Sequence, residues 1–193
     1  ARGVAMIDGF PHSGFGVSFG DYDNDGWVDI HTNEWQPIDV ARYNQPSHSR
    51  LFHNLGASGK PGVFEDVTDA SGAKLESKID LVYSFSSSFT DFDGDGWPDL
   101  SVVSDFDTTR FFWNNGDGTF TDVTAKAGLR NPHWGTSCAW GDVDGDGFLD
   151  LYVCNYVEAD LDHYRYSPFF KDTWGKTRVL FASAPQAWSV VRR

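Results

Sequence analysis

The chain has 193 residues, 16% of them aromatic, with eight Trp and a formal net charge of −13. That acidity argues against nucleic acid and anionic membranes as partners, and no apolar run is long enough to span a bilayer. The length suits a single domain, 1–193, with a substantial core, and no signal peptide is read at Ala1, although a processed, secreted chain would start the same way.

In chain order, the first element is a strand-like run from Phe15 to Gly20, followed by the nine residues D-Y-D-N-D-G-W-V-D, Asp21 to Asp29. A second strand follows at Val28–Asn33, a third at Arg50–Asn54 and a fourth at Val63–Thr68. The order then repeats. Strand Phe85–Thr90 leads into D-F-D-G-D-G-W-P-D, Asp91 to Asp99, and strands follow at Asp99–Ser104, Arg110–Asn114 and Thr119–Thr124. Asn115-Gly-Asp-Gly118 between the last two reads as a tight hairpin, because its glycines adopt positive φ cheaply. A third copy runs from Thr136–Gly141 through D-V-D-G-D-G-F-L-D, Asp142 to Asp150, into Asp150–Asn155. Arg178–Phe181 and Trp188–Val191 then fall at the spacing of the outer strands of the second copy. The glycine-free Ala182–Ala187 between them suits a degenerate outer hairpin or an unstructured tail, and 156–177 reads as a long loop.

Four carboxylates in nine residues repel one another unless something neutralises them. Spacing at positions 1, 3 and 5, a glycine at 6 that lets the chain turn, a backbone carbonyl at 7 and an Asp at 9 describe an oxygen cage for a hard cation. The ligands are then Asp21, Asp23, Asp25, Trp27 (carbonyl) and Asp29; Asp91, Asp93, Asp95, Trp97 (carbonyl) and Asp99; and Asp142, Asp144, Asp146, Phe148 (carbonyl) and Asp150. Six or more oxygens on a flexible loop favour calcium over magnesium, and the runs hold no Cys or His for zinc. About three calcium ions are expected, which would bring the net charge to about −7. An EF-hand would need Glu at position 12 and a helix beyond it. Here position 12 is Thr32, Val102 or Tyr152, and strand follows.

The repeat extends past the loops. His12–Asp21 aligns without gaps on His133–Asp142, Arg50–Asn54 on Arg110–Asn114, and Val63–Thr68 on Thr119–Thr124. Four short antiparallel strands per unit, repeated, describe a β-propeller blade. The expected fold is all-β: a partial propeller of about three four-stranded blades, near 12–70, 80–128 and 133–193, each with its calcium loop between the first two strands.

Trp140–Val153 and Arg110–Thr124 resemble the FG-GAP or VCBS-type propeller repeat of integrin α-chain heads and of bacterial relatives of cartilage acidic protein. That resemblance implies calcium held by the Asp residues at positions 1, 3, 5 and 9 of each loop. It also implies an extracellular or cell-surface module for protein or glycan binding and adhesion. Propellers of this family usually carry about seven blades, so three leave two open flanks with aromatic surface facing water. A homo-oligomer, or further blades of a longer propeller, would complete the ring.

The eight Trp read first as wedge between blades, with a sugar-stacking platform as the sharper alternative. Cys138 and Cys154 lie equidistant from Asp146, so a regular hairpin sets them opposite one another, either as a cross-strand disulfide or as two buried thiols. No nucleophile–base pair is legible, and Ser84–Ser88 is a serine-bearing strand rather than a nucleophile elbow. A polysaccharide lyase-like propeller is the alternative reading, with Tyr43, Tyr164, Arg165 and Tyr166 as loose candidates.

Overall fold

A computed structural model describes residues 13–35, 49–76, 82–105, 107–131, 134–157 and 179–182. In chain order its elements are β1 (Ser13–Gly20), β2 (Asp29–Trp35), β3 (Arg50–Asn54), β4 (Phe64–Asp66), α1 (Thr68–Ser71), β5 (Ser84–Thr90), β6 (Asp99–Ser104), β7 (Arg110–Asn114), β8 (Phe120–Asp122), β9 (Trp134–Gly141), β10 (Asp150–Val157) and β11 (Val179–Ala182). They form two four-stranded antiparallel sheets, β1-β2-β3-β4 and β5-β6-β7-β8, and a three-stranded one, β11-β10-β9. The fold is all-β, and its sheets are consistent with propeller-type blades.

Each acidic run joins the first two strands of a sheet in one register. Gly20 pairs with Asp29, Thr90 with Asp99 and Gly141 with Asp150. The outer hairpins are fixed by side chains that recur with the sequence. Asp66 accepts the Thr68 N–H at 3.1 Å, and Thr68 Oγ1 accepts the Leu51 N–H at 2.9 Å. Asp122, Thr124 and Phe111 repeat this at 2.9 and 2.8 Å. Arg50 meets Asp66 and Arg110 meets Asp122, both at 3.3 Å. The D-V-T signature therefore exists to tie the fourth strand to the third.

Successive sheets pack through their first strands, β5 against β1 and β9 against β5. Between the first and second sheets lies a core of Tyr22, Leu51, Leu75, Leu100, Val102, Phe112 and Phe120. Phe92, Val103, Phe111, Val123, Leu151 and Val153 form its counterpart between the second and third. The first seam is also polar along β5. Ser87 Oγ meets Ser18 Oγ at 2.8 Å and His31 Nδ1 at 2.9 Å, while the Glu34 N–H donates to Ser84 Oγ at 3.1 Å. His31 is fully buried, and that burial pulls its pKa down to about 3, so its ring is neutral.

Three sequence expectations change. Cys138 pairs with Val153 and Cys154 with Ser137, so the two cysteines are one register step out. Adjacent positions face opposite sides of a sheet, and both thiols are free. The cause is the loop exit: with Gly141 paired to Asp150, the hairpin axis falls half a residue before Asp146. The fourth strand, expected to run to Thr68, ends at Asp66, and Thr68 opens α1, which is capped by Gly72 at φ 76°. Finally, β11 sets Ala182 opposite Leu151, two residues beyond the position that alignment with Arg110–Trp113 assigns. Apart from β11, the outer hairpin of the third unit lies outside the described residues, as do the 156–177 loop beyond Val157 and Tyr43, Tyr164, Arg165 and Tyr166.

Candidate metal-binding loops

The three loops share one internal hydrogen-bond scheme. The Asp at position 1 turns back to accept from the loop backbone. Asp91 Oδ1 takes the N–H groups of Gly94 at 2.7 Å and Asp95 at 3.1 Å, and its Oδ2 that of Gly96 at 2.9 Å. Asp142 repeats this with Gly145, Asp146 and Gly147 at 2.7, 3.1 and 3.0 Å. Asp21 accepts from Asp25 and Gly26, both at 3.0 Å. The Asp at position 5 accepts the N–H of position 7: Asp25 from Trp27 at 2.8 Å, Asp95 from Trp97 and Asp146 from Phe148 at 2.9 Å. Such a tight coil needs two left-handed residues. Position 6 supplies glycine each time, at φ 88°, 92° and 90° for Gly26, Gly96 and Gly147. Position 4 is Asn24 at φ 54° in the first loop, and Gly94 and Gly145 at 76° in the others. Asn and Gly are the residues that tolerate this region best. Position 4 was therefore a readable signal that the motif D-x-D-x-D-G-x-x-D leaves unspecified.

The Asp at position 9 stands apart. Asp29 and Asp99 are fully buried, and each spends both oxygens on backbone N–H groups. Asp99 accepts from Phe92 at 3.0 Å and Asn114 at 2.8 Å; Asp29 accepts from Tyr22 at 3.2 Å and Asn54 at 2.7 Å. Asp150 accepts from Val143 at 3.1 Å. This residue thus locks the start of the loop and, in the first two sheets, the end of the third strand onto the second strand. Asn54 and Asn114, which sequence reasoning aligned but gave no role, complete the lock. Their amides donate to Val28 O at 3.0 Å and Pro98 O at 2.9 Å, the residues just ahead of the position-9 Asp. In the first two loops the position-7 rings, Trp27 and Trp97, cover the hairpin turns. A methyl on Gly116 would lie 3.1 Å from the Trp97 ring, and Gly56 admits none beneath Trp27.

Carboxylate oxygens converge within 4.8 Å of one another in Asp21/Asp23/Asp25, Asp91/Asp93/Asp99 and Asp142/Asp144/Asp146. Asp95 and Asp150 fall outside these groups. In the first loop Asp23 and Asp29 also converge with His53, whose Nδ1 lies 3.2 and 3.3 Å from them. Trp113 holds the corresponding place in the second unit. Sequence reading passed over His53 because it lies 24 residues beyond its loop. The donor chemistry suits a hard divalent cation, and Asp23 Oδ1 and Asp25 Oδ2 are enclosed without accepting any hydrogen bond. Burial pushes Asp99 up to about 8 and Asp29 up to about 6, against the pull of their backbone hydrogen bonds, and it also raises Asp23 and Asp93. The first and second loops lie side by side. Asn24 Nδ2 donates to Gly96 O at 3.1 Å, and Asn114 Nδ2 to Tyr22 O at 2.7 Å.

Repeated antiparallel sheets, each entered through the same nine-residue acidic coil, define a β-propeller-like repeat protein. Residues 91–153 match the family model of the FG-GAP-like repeat, so that stretch is of the FG-GAP type. The match runs from the first residue of the second loop to β10, and so takes in two of the three acidic runs. No curated protein matches the chain. Among the described residues no helix is long and apolar enough to cross a membrane.

Proposed function

We propose that the chain is a calcium-binding segment of a β-propeller that serves outside the cell as a protein- or glycan-binding module. The observation that carries this reading is the threefold convergence of loop carboxylates within 4.8 Å. Asp21, Asp23 and Asp25, Asp91, Asp93 and Asp99, and Asp142, Asp144 and Asp146 would hold the ions, one per loop. When bound, calcium supplies positive charge that relieves carboxylate repulsion and fastens each loop to its sheet. Trp27, Trp97 and Phe148 offer backbone carbonyls at the position where calcium loops commonly use one. Millimolar extracellular calcium suits loops of this kind, and a closed ring of blades would give the binding surface a rigid frame.

Titration calorimetry tests the metal. We expect about three calcium ions per chain, and Asp93→Ala and Asp144→Ala each to weaken one of them by about tenfold or more while lowering the calcium-dependent melting temperature. Unchanged affinity and melting in both variants would sink the assignment.

A pH series tests the buried carboxylates. With chelator, Asp99 keeps its proton in the fold up to about pH 8, whereas in the unfolded chain it ionises above about pH 4. The fold then binds a proton that the unfolded chain releases, so this group makes stability fall as pH rises from about 4 to about 8. Asp29 adds to the fall from about 4 to about 6. The melting temperature in chelator should be lower at pH 8 than at pH 5, and millimolar calcium should shrink the difference. A chelated protein that melts higher at pH 8 would contradict this.

A further inference from the structure

The three acidic loops do not share one donor set. The runs themselves offer only oxygen, but the fold brings a nitrogen to the first. His53 lies on β3 beside Asn54, whose N–H is held by Asp29 at 2.7 Å. Its ring meets the buried Tyr22 edge-on, with centroids 6.1 Å apart and planes at 83°. That seat puts Nδ1 3.2 Å from Asp23 Oδ2 and 3.3 Å from Asp29 Oδ1. Nδ1 is enclosed, yet it is hydrogen-bonded to neither oxygen. Asp23 Oδ1 is enclosed and accepts no hydrogen bond either. Asp29 is fully buried, and each of its oxygens accepts one backbone N–H, which leaves each a second lone pair.

In the second unit the corresponding residue is Trp113, beside Asp93. An indole N–H only donates, whereas a neutral imidazole also offers a lone pair to a metal. Of the convergent groups among the described residues, Asp23/Asp29/His53 alone includes a nitrogen. Two carboxylates and an imidazole suit a borderline cation such as zinc, whereas calcium takes oxygen. Two zinc bonds of about 2.0–2.1 Å at a tetrahedral angle hold their donors about 3.3–3.4 Å apart. His53 Nδ1 stands close to that distance from both carboxylates. We propose that Asp23, Asp29 and His53 form a zinc site in the first loop, with a fourth position left for water. It rests on the proposed reading of this loop as a cation site, through the shared Asp23, and does not require calcium in the others.

Titration calorimetry of the chelator-stripped chain with zinc chloride tests it, together with proton–nitrogen correlation spectra of the histidine rings. We expect about one zinc ion per chain, a shift of Nδ1 in one imidazole, and the absence of that resonance from His53→Gln. His53→Gln should weaken zinc binding by at least about tenfold, which is what even an outer-shell partner is worth. It should leave calcium affinity and the melting temperature in chelator unchanged. Asp144→Ala, which alters the third loop, should leave zinc binding intact. The wild-type ring spectrum decides the matter even if His53→Gln folds poorly. No zinc bound at roughly 100 μM, where even weak affinity registers, would overturn the proposal. So would unchanged zinc affinity in His53→Gln, which puts the ion on another histidine. Equal losses of zinc affinity, calcium affinity and melting temperature would overturn it too, since they make the imidazole a structural prop. Zinc binding without calcium binding keeps this site and removes the calcium reading; calcium without zinc does the reverse.

Discussion

Replacing Asp99 with Ala should cost about 3–5 kcal/mol of folding stability in calcium, and about 2–4 kcal/mol in chelator, where the buried carboxyl is protonated at neutral pH. Its carboxyl group accepts the Phe92 and Asn114 N–H groups in a site closed to water, and each such bond contributes about 1.5–3 kcal/mol when the acceptor is ionised and about 0.5–1.5 kcal/mol when it is neutral. Alanine leaves both donors buried and unpaired. Asp99→Asn should fare better in chelator than in calcium, since it retains one acceptor and removes a carboxylate that burial already penalises. Asp93→Ala is the contrast. Asp93 is only half-buried and accepts the Asp95 N–H at 3.1 Å, so its loss should reduce calcium affinity far more than cation-free stability. Urea unfolding of the three variants in calcium and in chelator separates the two roles. If Asp99→Ala costs less than about 1 kcal/mol in chelator, the buried carboxylate does not lock the loop.

The second large effect belongs to Phe92. It is buried, stacks on Trp140 with ring planes 16° apart and sits in the core between the second and third sheets. Truncation to Ala should cost about 3–5 kcal/mol, the usual range for a phenylalanine removed from a close-packed core. Val143 occupies the same loop position on the third sheet and is 72% exposed, so Val143→Ala should change the stability of the monomer by less than about 0.5 kcal/mol. Comparable costs at the two sites would mean that the loops do not play equivalent parts in successive seams.

The local parts of this architecture were legible because their constraints are local. Alternating carboxylates, a glycine that reverses the chain and β-branched runs on either side place each acidic coil between paired strands. The same holds for the Asn115–Gly118 hairpin, where Gly116 and Gly118 adopt φ of 74° and 83°. What escaped was set by contacts across tens of residues. Nothing in the spacing of Arg50-Leu-Phe-His-Asn54 shows that His53 reaches Asp23, or that the Asn54 N–H is held by Asp29. Repetition did signal the asparagines, since Asn54 and Asn114 align without being strand formers. The cysteine pair failed for a different reason. Symmetry about the centre of the loop is a property of the sequence, whereas the register is set by where the Gly141–Asp150 pair closes.

The two faces of each sheet differ in a way that bears on how such a chain grows. Val17 and Phe19, Ser87 and Phe89, and Cys138 and Trp140 all look back, while Gly16 and Ser18, Ser86 and Ser88, and Ser137 and Ala139 all look forward. A tandem duplication of one such unit in the gene arrives with a back that fits the neighbour before it and a front that fits the neighbour after it. Unit number can then change in a single genetic event without a new interface having to evolve, and the inserted copy is free to diverge at its outer connections. The differing loop spacings here, 70 and then 51 residues, are of the kind that outer connections tolerate.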